Sequence, residues 1–575
     1  NKLVKRFIFS LLYTFFNHNH SKAMKLIKLF ISLGFFLIFC AVTSAQEKGT
    51  ISGIITDNVT NDPLPGANIV ISELTFGSTS DRYGNYRLNG VPVGSYTISI
   101  SYLGYTAESK QVQVSAGSNQ VINFSVKPGF VETEEVVIEG LRQGQTLALN
   151  IQKTADNIKN VIASDLIGRF PDPNVAEALQ RVPGISVQRD QGEGRYVQIR
   201  GTNPNLSNIS INGEQIPSPE GDIRYVALDM IPSDMLSMIE VSKAITPDMD
   251  GDAIGGSVNL NTLSLIENKA FVRSTLTGEY NSLAQDLSPF GGLGSIVFGQ
   301  RFGETKQFGF VLGASYNRTN RASDNNEMAY DDGDLETLEL RDYELTRERL
   351  GITSSIDYKF SPSSKLFFNG MYNYFSDQEY RRRLVIESEA IERELKDRLE
   401  KQTIYSLSGG GEHDLGTLFR LDYMLSYSHA DQNTPYDRAI NFKQEYEDSN
   451  DDPIKIISFN TADADYPQFT TTAAGIAEGA GVYNYGQFKF DEFENSSELT
   501  TDEHFTSRLN LKSYFNFSDV YGELKFGGLY RTKEKKRDPD LNYYDYKAGI
   551  PYAQVQGDFL DKDYLFKKYT NGVGF

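Results

Sequence analysis

The sequence predicts three folded units in series: a small β-sandwich, a compact α/β module, and an antiparallel transmembrane β-barrel of which the N-terminal part is present. Three observations carry this. Residues 48–127 break into short alternating segments separated by turn residues. Residues 156–264 combine one helical period with short strands. From Ala270 onward the chain becomes segments of about ten residues in which apolar and polar side chains alternate, as in strands that face lipid on one side.

With 575 residues there is room for several domains. The mean hydropathy of −0.39 excludes a bundle of membrane helices but is compatible with barrel strands, which are only half apolar. The formal charge of −20 argues against nucleic acid bound on a basic face. Residues 1–45 read as an N-terminal extension and signal peptide: Met24-Lys25-Leu26-Ile27-Lys28 is basic, 29–42 is apolar, and Thr43-Ser44-Ala45 offers cleavage after Ala45. A lipoprotein signal acylated at Cys40 is the rival, with Phe39 too large for such a site. Residues 1–23 precede Met24, a plausible start methionine, and read as an over-extended reading frame. The 45 residues carry six Lys or Arg and no acid, so removing them moves the charge from −20 to −26. It also removes the only cysteine, which excludes a disulfide framework.

In residues 48–127 the strands are expected at 51–56, 67–71, 86–88, 95–102, 110–114 and 121–126. Pro63-Leu64-Pro65-Gly66, Tyr83-Gly84-Asn85 and Pro92-Val93-Gly94 turn the chain between some of them. A small antiparallel sandwich follows. It shows no catalytic set, so it reads as a spacer or partner-docking domain. Residues 128–155 read as a linker. Within it, Glu134, Glu135, Val136, Val137, Ile138, Glu139 and Gly140 form a short β-prone run among acids. Such a run can add as a strand to a partner's sheet edge. The rival is a last strand of the sandwich, although Pro128-Gly129 already punctuates its end.

In the α/β module Asp172 is the expected helix N-cap with Pro173 at the first helical position. Val175, Leu179 and Val182 give one apolar face, and Pro183-Gly184 ends the helix. Strands are expected at 185–188, 196–200, 209–211 and 238–243. Asp190-Gln191-Gly192 and Asn212-Gly213 mark turns, and 250–260 closes the module.

The barrel, residues 270–575, should contain nine strands starting near 270, 293, 307, 349, 365, 402, 417, 505 and 520. The connections at 303–306, 361–364, 414–416 and 518–519 are tight; the others are longer, most of all 430–504. Short and long ends alternate as in an outer-membrane barrel, and a soluble sandwich has no reason to sort its loops by end. Nine strands cannot enclose a module of about a hundred residues, because diameter grows with strand number. The chain therefore reads as part of a longer barrel whose two sheet edges would otherwise stay open. The acidic loops at 331–334 and 447–452, and Asp248, Asp250 and Asp252, are candidate calcium ligands or plain solvated loops. Arg381-Arg382-Arg383 at a loop start suits phosphates or water, and 387–401 could be a charged helix. No Ser/His/Asp or Cys/His set and no phosphate-binding glycine loop stands out, so no enzyme and no cofactor is expected.

Five pieces of the module occur in order: 177–185, 191–201, Ile211-Asn212-Gly213, Ile239-Glu240-Val241 and 254–260. On these residues the stretch resembles the plug domain of TonB-dependent outer-membrane receptors. The sandwich resembles the carboxypeptidase-regulatory-like domain that precedes such receptors in Bacteroidetes-type bacteria. The 189–194 run and Ser218-Pro219-Glu220-Gly221 look closer to a branch often linked to saccharide uptake than to the starch-utilisation (SusC-like) branch. The resemblance implies a receptor in the outer membrane of a Gram-negative bacterium with its N-terminal domain in the periplasm. It implies a TonB box at Glu134 to Gly140 and a large or scarce solute, an oligosaccharide first. A siderophore or cobalamin is the alternative, and a non-transporting outer-membrane scaffold or adhesion protein is the reading from another class. Implied partners are TonB of the inner-membrane motor complex, outer-membrane lipid, the solute and a surface lipoprotein. Arg195, Arg200 and Glu240 are the candidate plug–barrel contacts, with plug-fold stability as their rival role.

Overall fold

A computed structural model describes residues 48–545 apart from short stretches, the longest being 129–138 and 472–487. Ala45 with the signal peptide, the Glu134 to Ile138 run, and residues 546–575 lie outside the described residues.

The first unit has strands β1 (Lys48–Asp57), β2 (Asn68–Ile71), β3 (Phe76–Thr79), β4 (Asn85–Pro92), β5 (Gly94–Ser101), β6 (Glu108–Val114), β7 (Asn119–Val121) and β8 (Phe124–Val126). They form two sheets. One has β1 at its centre, flanked by β4, β7 and β8; the other runs β3-β2-β5-β6. Ile51, Ile55, Ile69, Ile71, Ile98 and Phe124 fill the space between. The expected sandwich is present, but it is not purely antiparallel: β7 and β8 lie parallel to β1. After β6 the chain crosses to the other sheet and enters beside β1 in the same direction. Period-two alternation marks a strand but carries no information about direction. On β1, Gly53 occupies the core face between Ile51 and Ile55, and a Cβ there would sit 1.8 Å from the Ile122 carbonyl oxygen. Gly53→Ala is expected to destabilise the sandwich by about 1–3 kcal/mol, as overpacking does, and to lower its melting temperature in the full chain.

The expected linker is helical over part of its length. Helix α1 (Glu139–Thr154) lays Ala148 and Ile151 against Val161 and Ala163. Positions three apart meet on one helix face, and Lys153 in the last turn suits the negative end of the helix dipole.

The second unit contains β9 (Lys159–Ala163), α2 (Ser164–Ile167), α3 (Val175–Leu179), β10 (Ile185–Asp190), β11 (Glu193–Ile199), β12 (Ser207–Ile211), β13 (Glu214–Gln215), β14 (Leu236–Ser242) and β15 (Gly256–Thr262). Five strands form one sheet in the order β13-β12-β15-β14-β9, and β10–β11 is a separate hairpin. Helix α3 buries Val175 and Leu179 as expected, but its cap is corrected. Asn174 Oδ1 accepts from the Glu177 N–H at 3.0 Å, while Asp172 pairs with Arg181. The helix also stops at Leu179, so Val182 joins the core from the turn that follows.

The third unit is one antiparallel sheet of nine strands. In order these are β16 (Phe271–Tyr280), β17 (Phe290–Phe302), β18 (Phe308–Asp331), β19 (Asp334–Ser361), β20 (Ser364–Glu387), β21 (Ala390–Leu415) and β22 (Phe419–Glu445). A separate hairpin of β23 (Ile457–Asn460) and β24 (Gln468–Thr471) precedes β25 (Lys489–Phe517) and β26 (Val520–Asp545). Each strand pairs with its sequence neighbour except where β22 meets β25. Among the described residues the edges are β16 and β26, which do not pair with each other, so the sheet is open. Nine strands and the four tight ends agree with expectation; the opposite end does not. After β18 and β20 the strands run on to two-residue turns at Asp332-Gly333 and Ser388-Glu389. At the first of these, φ is +47° and +96°, the left-handed geometry that a two-residue hairpin needs. Residues 390–401 are therefore strand rather than helix, and Arg381, Arg382 and Arg383 lie in β20. Arg381 and Arg383 pair with Glu394 and Arg382 with Glu344.

On the tight-turn half of the sheet the outward face is apolar: Leu276, Ile296, Leu312, Phe360, Phe368, Leu425, Leu509 and Phe526 are exposed. A membrane strand needs roughly 9–11 residues. The 28 residues of β19 exceed that length and run well beyond the apolar belt. Beyond it, the long β22–β25 connection folds back. Ile456, Ile457 and Phe488 pack with Leu338, Ile386, Ile391 and Phe442 into a second apolar core. No described helix is long and apolar enough to cross a membrane, which says nothing of strands.

Candidate functional site

The α/β unit is lodged against the concave face of the nine-stranded sheet. Met371, Phe375, Ile404 and Ala430 from β20, β21 and β22 join Val175, Leu179 and Leu236 in one core. Around this apolar seat, two groups of charged side chains tie the unit to the sheet.

The first centres on Glu193, which opens β11 just after the Gln191-Gly192 turn and is 1% exposed. Its Oε2 accepts from Arg347 at 2.6 Å and from Arg349 at 2.5 Å, and Arg321 Nε lies 2.8 Å from Oε1. Arg347 also donates to Asp377 and Gln191, and Arg349 donates to the Asp229 carbonyl at 2.7 Å. Burial alone would push the Glu193 carboxyl up. The guanidiniums of Arg349, Arg347 and Arg321 outweigh it and hold the group well below the usual carboxylate range. Asp229 goes the other way: burial raises it despite Arg195, Arg347 and Arg349.

The second group is a ladder on β26. Arg531, Lys533, Lys535 and Arg537 alternate along the strand and so share its inner face. Arg531 reaches Asp250 and Gln215, with Glu214 3.6 Å away, and Lys533 donates to Gln215 at 2.8 Å. Lys535 donates to the carbonyls of Ser218, Glu220 and Ile223. Arg537 bridges Asp222 at 2.9 Å and Glu498 at 2.7 Å. Lower on the same strand Lys525 bonds Asp248. Burial would raise Asp248, but hydrogen bonds from Lys525 and Thr246 bring it down to about 2. Burial raises Glu214, against Arg508 and Arg531.

The expected contact residues divide. Arg195 pairs with Asp190 and Glu220 within the α/β unit and comes within 3.9 Å of Glu400 on β21. Arg200 is exposed at φ +55°, with its N–H bonded to the Gly184 carbonyl. Glu240 pairs with Lys159 at 2.6 Å and accepts from Asn261 at 2.7 Å, both inside the unit's own sheet. Glu193, Glu214 and the β26 ladder went unread in the sequence. A signal existed: charges at every second position, Arg347 and Arg349 or Arg531 to Arg537, mark one strand face that must meet opposite charge. The acidic turn at 331–334 closes a hairpin, and among the described residues no cluster of acids or histidines is gathered to hold a metal.

A cleft of about 510 Å³ lies on the half of the sheet away from the tight turns. The loop at 220–223 and Arg195 form one wall; Arg398, Glu400, Gln432, Thr434, Glu498 and Arg537 belong to the other. At the opposite end the sandwich approaches the tight turns, with Arg87 3.5 Å from Asp414. Helix α1 joins the two units, since the Leu103 N–H donates to Asn150 Oδ1.

Residues 51–138 match the family described as CarboxypepD_reg-like domain, and 151–257 match the TonB-dependent receptor plug domain. The first match runs through Ile138 and so overlaps the Glu134 to Ile138 run. TonB-dependent receptor P3 of Formosa agariphila is 30% identical over 43% of this chain and 23% of its own. TonB-dependent receptor SusC of Bacteroides thetaiotaomicron is 28% identical over 40% of this chain and 22% of its own. The chain thus matches less than a quarter of the length of either relative, and these two identities do not separate the branches contrasted above. The ferric enterobactin receptor PfeA of Pseudomonas aeruginosa aligns over 64% of this chain and 72% of its own, at 11% identity and a TM-score of 0.33. That score is too low to carry an argument. Over the matched residues the sandwich is a carboxypeptidase-regulatory-like domain and the α/β unit is a TonB-dependent receptor plug.

Proposed function

We propose that this chain, a TonB-dependent receptor chain by its plug and barrel strands, serves an outer-membrane importer of a large or scarce solute, an oligosaccharide first. The observation that carries the reading is the plug seated on the concave face of strands whose outward face is apolar. Only closed strands or helices satisfy every backbone group in lipid, so such a sheet belongs to a barrel, with the plug as its stopper. The cleft at the outer end is the place for solute capture. The sandwich and α1 stand at the tight-turn end, which in outer-membrane barrels is periplasmic. The Glu134 to Gly140 segment is the TonB box, and its last two residues, Glu139 and Gly140, open α1. With 134–138 added as a strand to TonB, the pull passes through α1 to β9, the edge strand of the plug sheet. Outer-membrane lipid surrounds the belt, and a surface lipoprotein is the candidate lid partner.

The test is deletion of Glu135 to Ile138 in the full-length receptor. Uptake of labelled oligosaccharide by cells is expected to vanish while membrane insertion and solute binding at the surface persist. Undiminished uptake would remove the energy-coupled reading and leave a static scaffold. Uptake of a ferric chelate or cobalamin instead of saccharide would keep the importer and change its solute.

A further inference from the structure

We infer that the outer cleft selects an uncharged, hydroxyl-rich ligand and rejects anionic ones, a statement that rests on the importer reading and narrows it. The cleft contains three guanidiniums, and each already serves carboxylates. Arg195 holds Asp190 and Glu220 at 2.8 and 2.9 Å. Arg398 holds Glu379 at 2.6 Å, with Glu400 3.9 Å away. Arg537 holds Glu498 at 2.7 Å and Asp222 at 2.9 Å. Against these three, six carboxylates line the cleft: Glu220, Asp222, Glu400, Asp437, Glu498 and Asp540. Lys396 holds one of the six, Asp437, at 2.9 Å. Among the described residues no lining guanidinium is without a carboxylate, and a sulfate or carboxylate entering here still meets more carboxylates than cations.

The same lining suits a polyol. Carboxylates fixed by a guanidinium keep lone pairs that accept from neighbouring hydroxyls. Neutral groups stand among them. Thr434 is 7% exposed, lines the cleft, and its hydroxyl joins no hydrogen bond among the described residues. Gln432 donates to Glu400 at 3.0 Å, and its own Oε1 is buried without a donor. The Thr434 hydroxyl can donate to or accept from a ligand hydroxyl, and a ligand donor that reached Gln432 Oε1 would satisfy it. The Ser218-Pro219-Glu220-Gly221 segment brings plug atoms into this wall. A Cβ at Gly221 would lie 2.9 Å from Glu498 Oε1 and 3.0 Å from Arg537 Nε, so the glycine lets the loop reach the ion pair.

The experiment is calorimetric titration of the full-length receptor in detergent with three probe sets. These are uncharged gluco-, xylo- and galacto-oligosaccharides, sulfated or uronate-bearing oligosaccharides of the same lengths, and ferric chelates. Glu498→Gln is titrated alongside. It keeps the shape but releases a guanidinium from one of its two carboxylates. The expected result is binding of uncharged oligosaccharides alone by the native receptor. In Glu498→Gln, affinity for the anionic set should rise by about tenfold or more, the worth of one charge-assisted hydrogen bond. Tighter binding of anionic than of uncharged oligosaccharides by the native receptor overturns the charge selection and leaves the saccharide importer standing. Binding of ferric chelates only, or of no oligosaccharide of either kind, overturns the saccharide reading and this inference with it.

Discussion

Replacing Glu193 with alanine will loosen the plug from the barrel by about 3–5 kcal/mol, the cost of breaking a buried ion pair by removing one partner. The carboxylate is 1% exposed and faces Arg321, Arg347 and Arg349. Arg347 and Arg349 are themselves buried. Without Glu193 they keep Asp377 and the Asp229 carbonyl but lose their shared counter-charge. Glu193→Gln should fall between, since the amide fills the space and accepts one hydrogen bond without the charge. Exchange of Glu193 and Arg349 together for leucine and methionine should cost less than Glu193→Ala alone, because one buried guanidinium leaves with the carboxylate while Arg347 keeps Asp377 and Arg321 keeps Glu279. Hydrogen exchange over 185–199 in the full-length receptor reads the effect directly. A Glu193→Ala plug as protected as the native one would refute the account. The pH dependence has a definite sign. The folded carboxyl titrates below its unfolded value of about 4.3. Its contribution is therefore complete above that unfolded value, declines progressively below it, and is gone once pH has fallen through the lower, folded one. The native plug should stay docked at pH 4 and give way in stronger acid.

Strand number and the tight ends of the barrel were legible in the chain because lipid imposes alternation: Phe419, Leu421, Tyr423, Leu425 and Tyr427 face one way on β22. Beyond the apolar belt that constraint ends. There β19, β20 and β21 are held by cross-strand ion pairs such as Arg382 with Glu344 and Arg383 with Glu394, at 3.1 and 2.8 Å. Such pairs stabilise a sheet without any apolar period. A pattern search therefore sees loops where strands continue. Helix α1 was hidden for a related reason: Gly140, Gly144 and several Gln and Thr dilute its period, and Ala148 and Ile151 bury too little to stand out. The cap at Asn174 was displaced to Asp172 because Pro173 is so strong a signal for a first helical turn. At the site, Arg195 was readable from the plug motif. Glu193 stands two residues earlier in the same motif, but its partners lie 154 and 156 residues further on. No local pattern joins such a pair. Only the fold brings β11 and β19 together.

Lys535→Met should free the outer loop of the plug without unseating the plug. Lys535 is the one ladder residue that bonds main chain: its Nζ donates to the carbonyls of Ser218 and Ile223 at 3.2 and 2.9 Å, and to that of Glu220 between them. Three carbonyls turned toward one ammonium fix the path of the loop that forms the cleft wall. Methionine keeps much of the stem but donates nothing, and its side chain bars water from part of the vacated space. The carbonyls then lose their donor at a cost of about 1–3 kcal/mol in all. The side chain is 29% exposed, so water recovers some of the loss and the lower half of that range is expected. Because Glu193 and the apolar seat are untouched, the global melting temperature should hardly move. Hydrogen exchange at 214–223 should quicken by roughly ten- to thirtyfold, the factor that about 1.4–2 kcal/mol produces. Solute affinity should fall with it, since a ligand must then order the wall before bonding to it. If exchange at 214–223 stays native while affinity falls, Lys535 acts on the solute itself and the clasp is wrong. If instead both change and Glu193→Ala alters exchange at 185–199 alone, the two anchors are separable: one seats the plug, the other shapes the surface it shows to the solute.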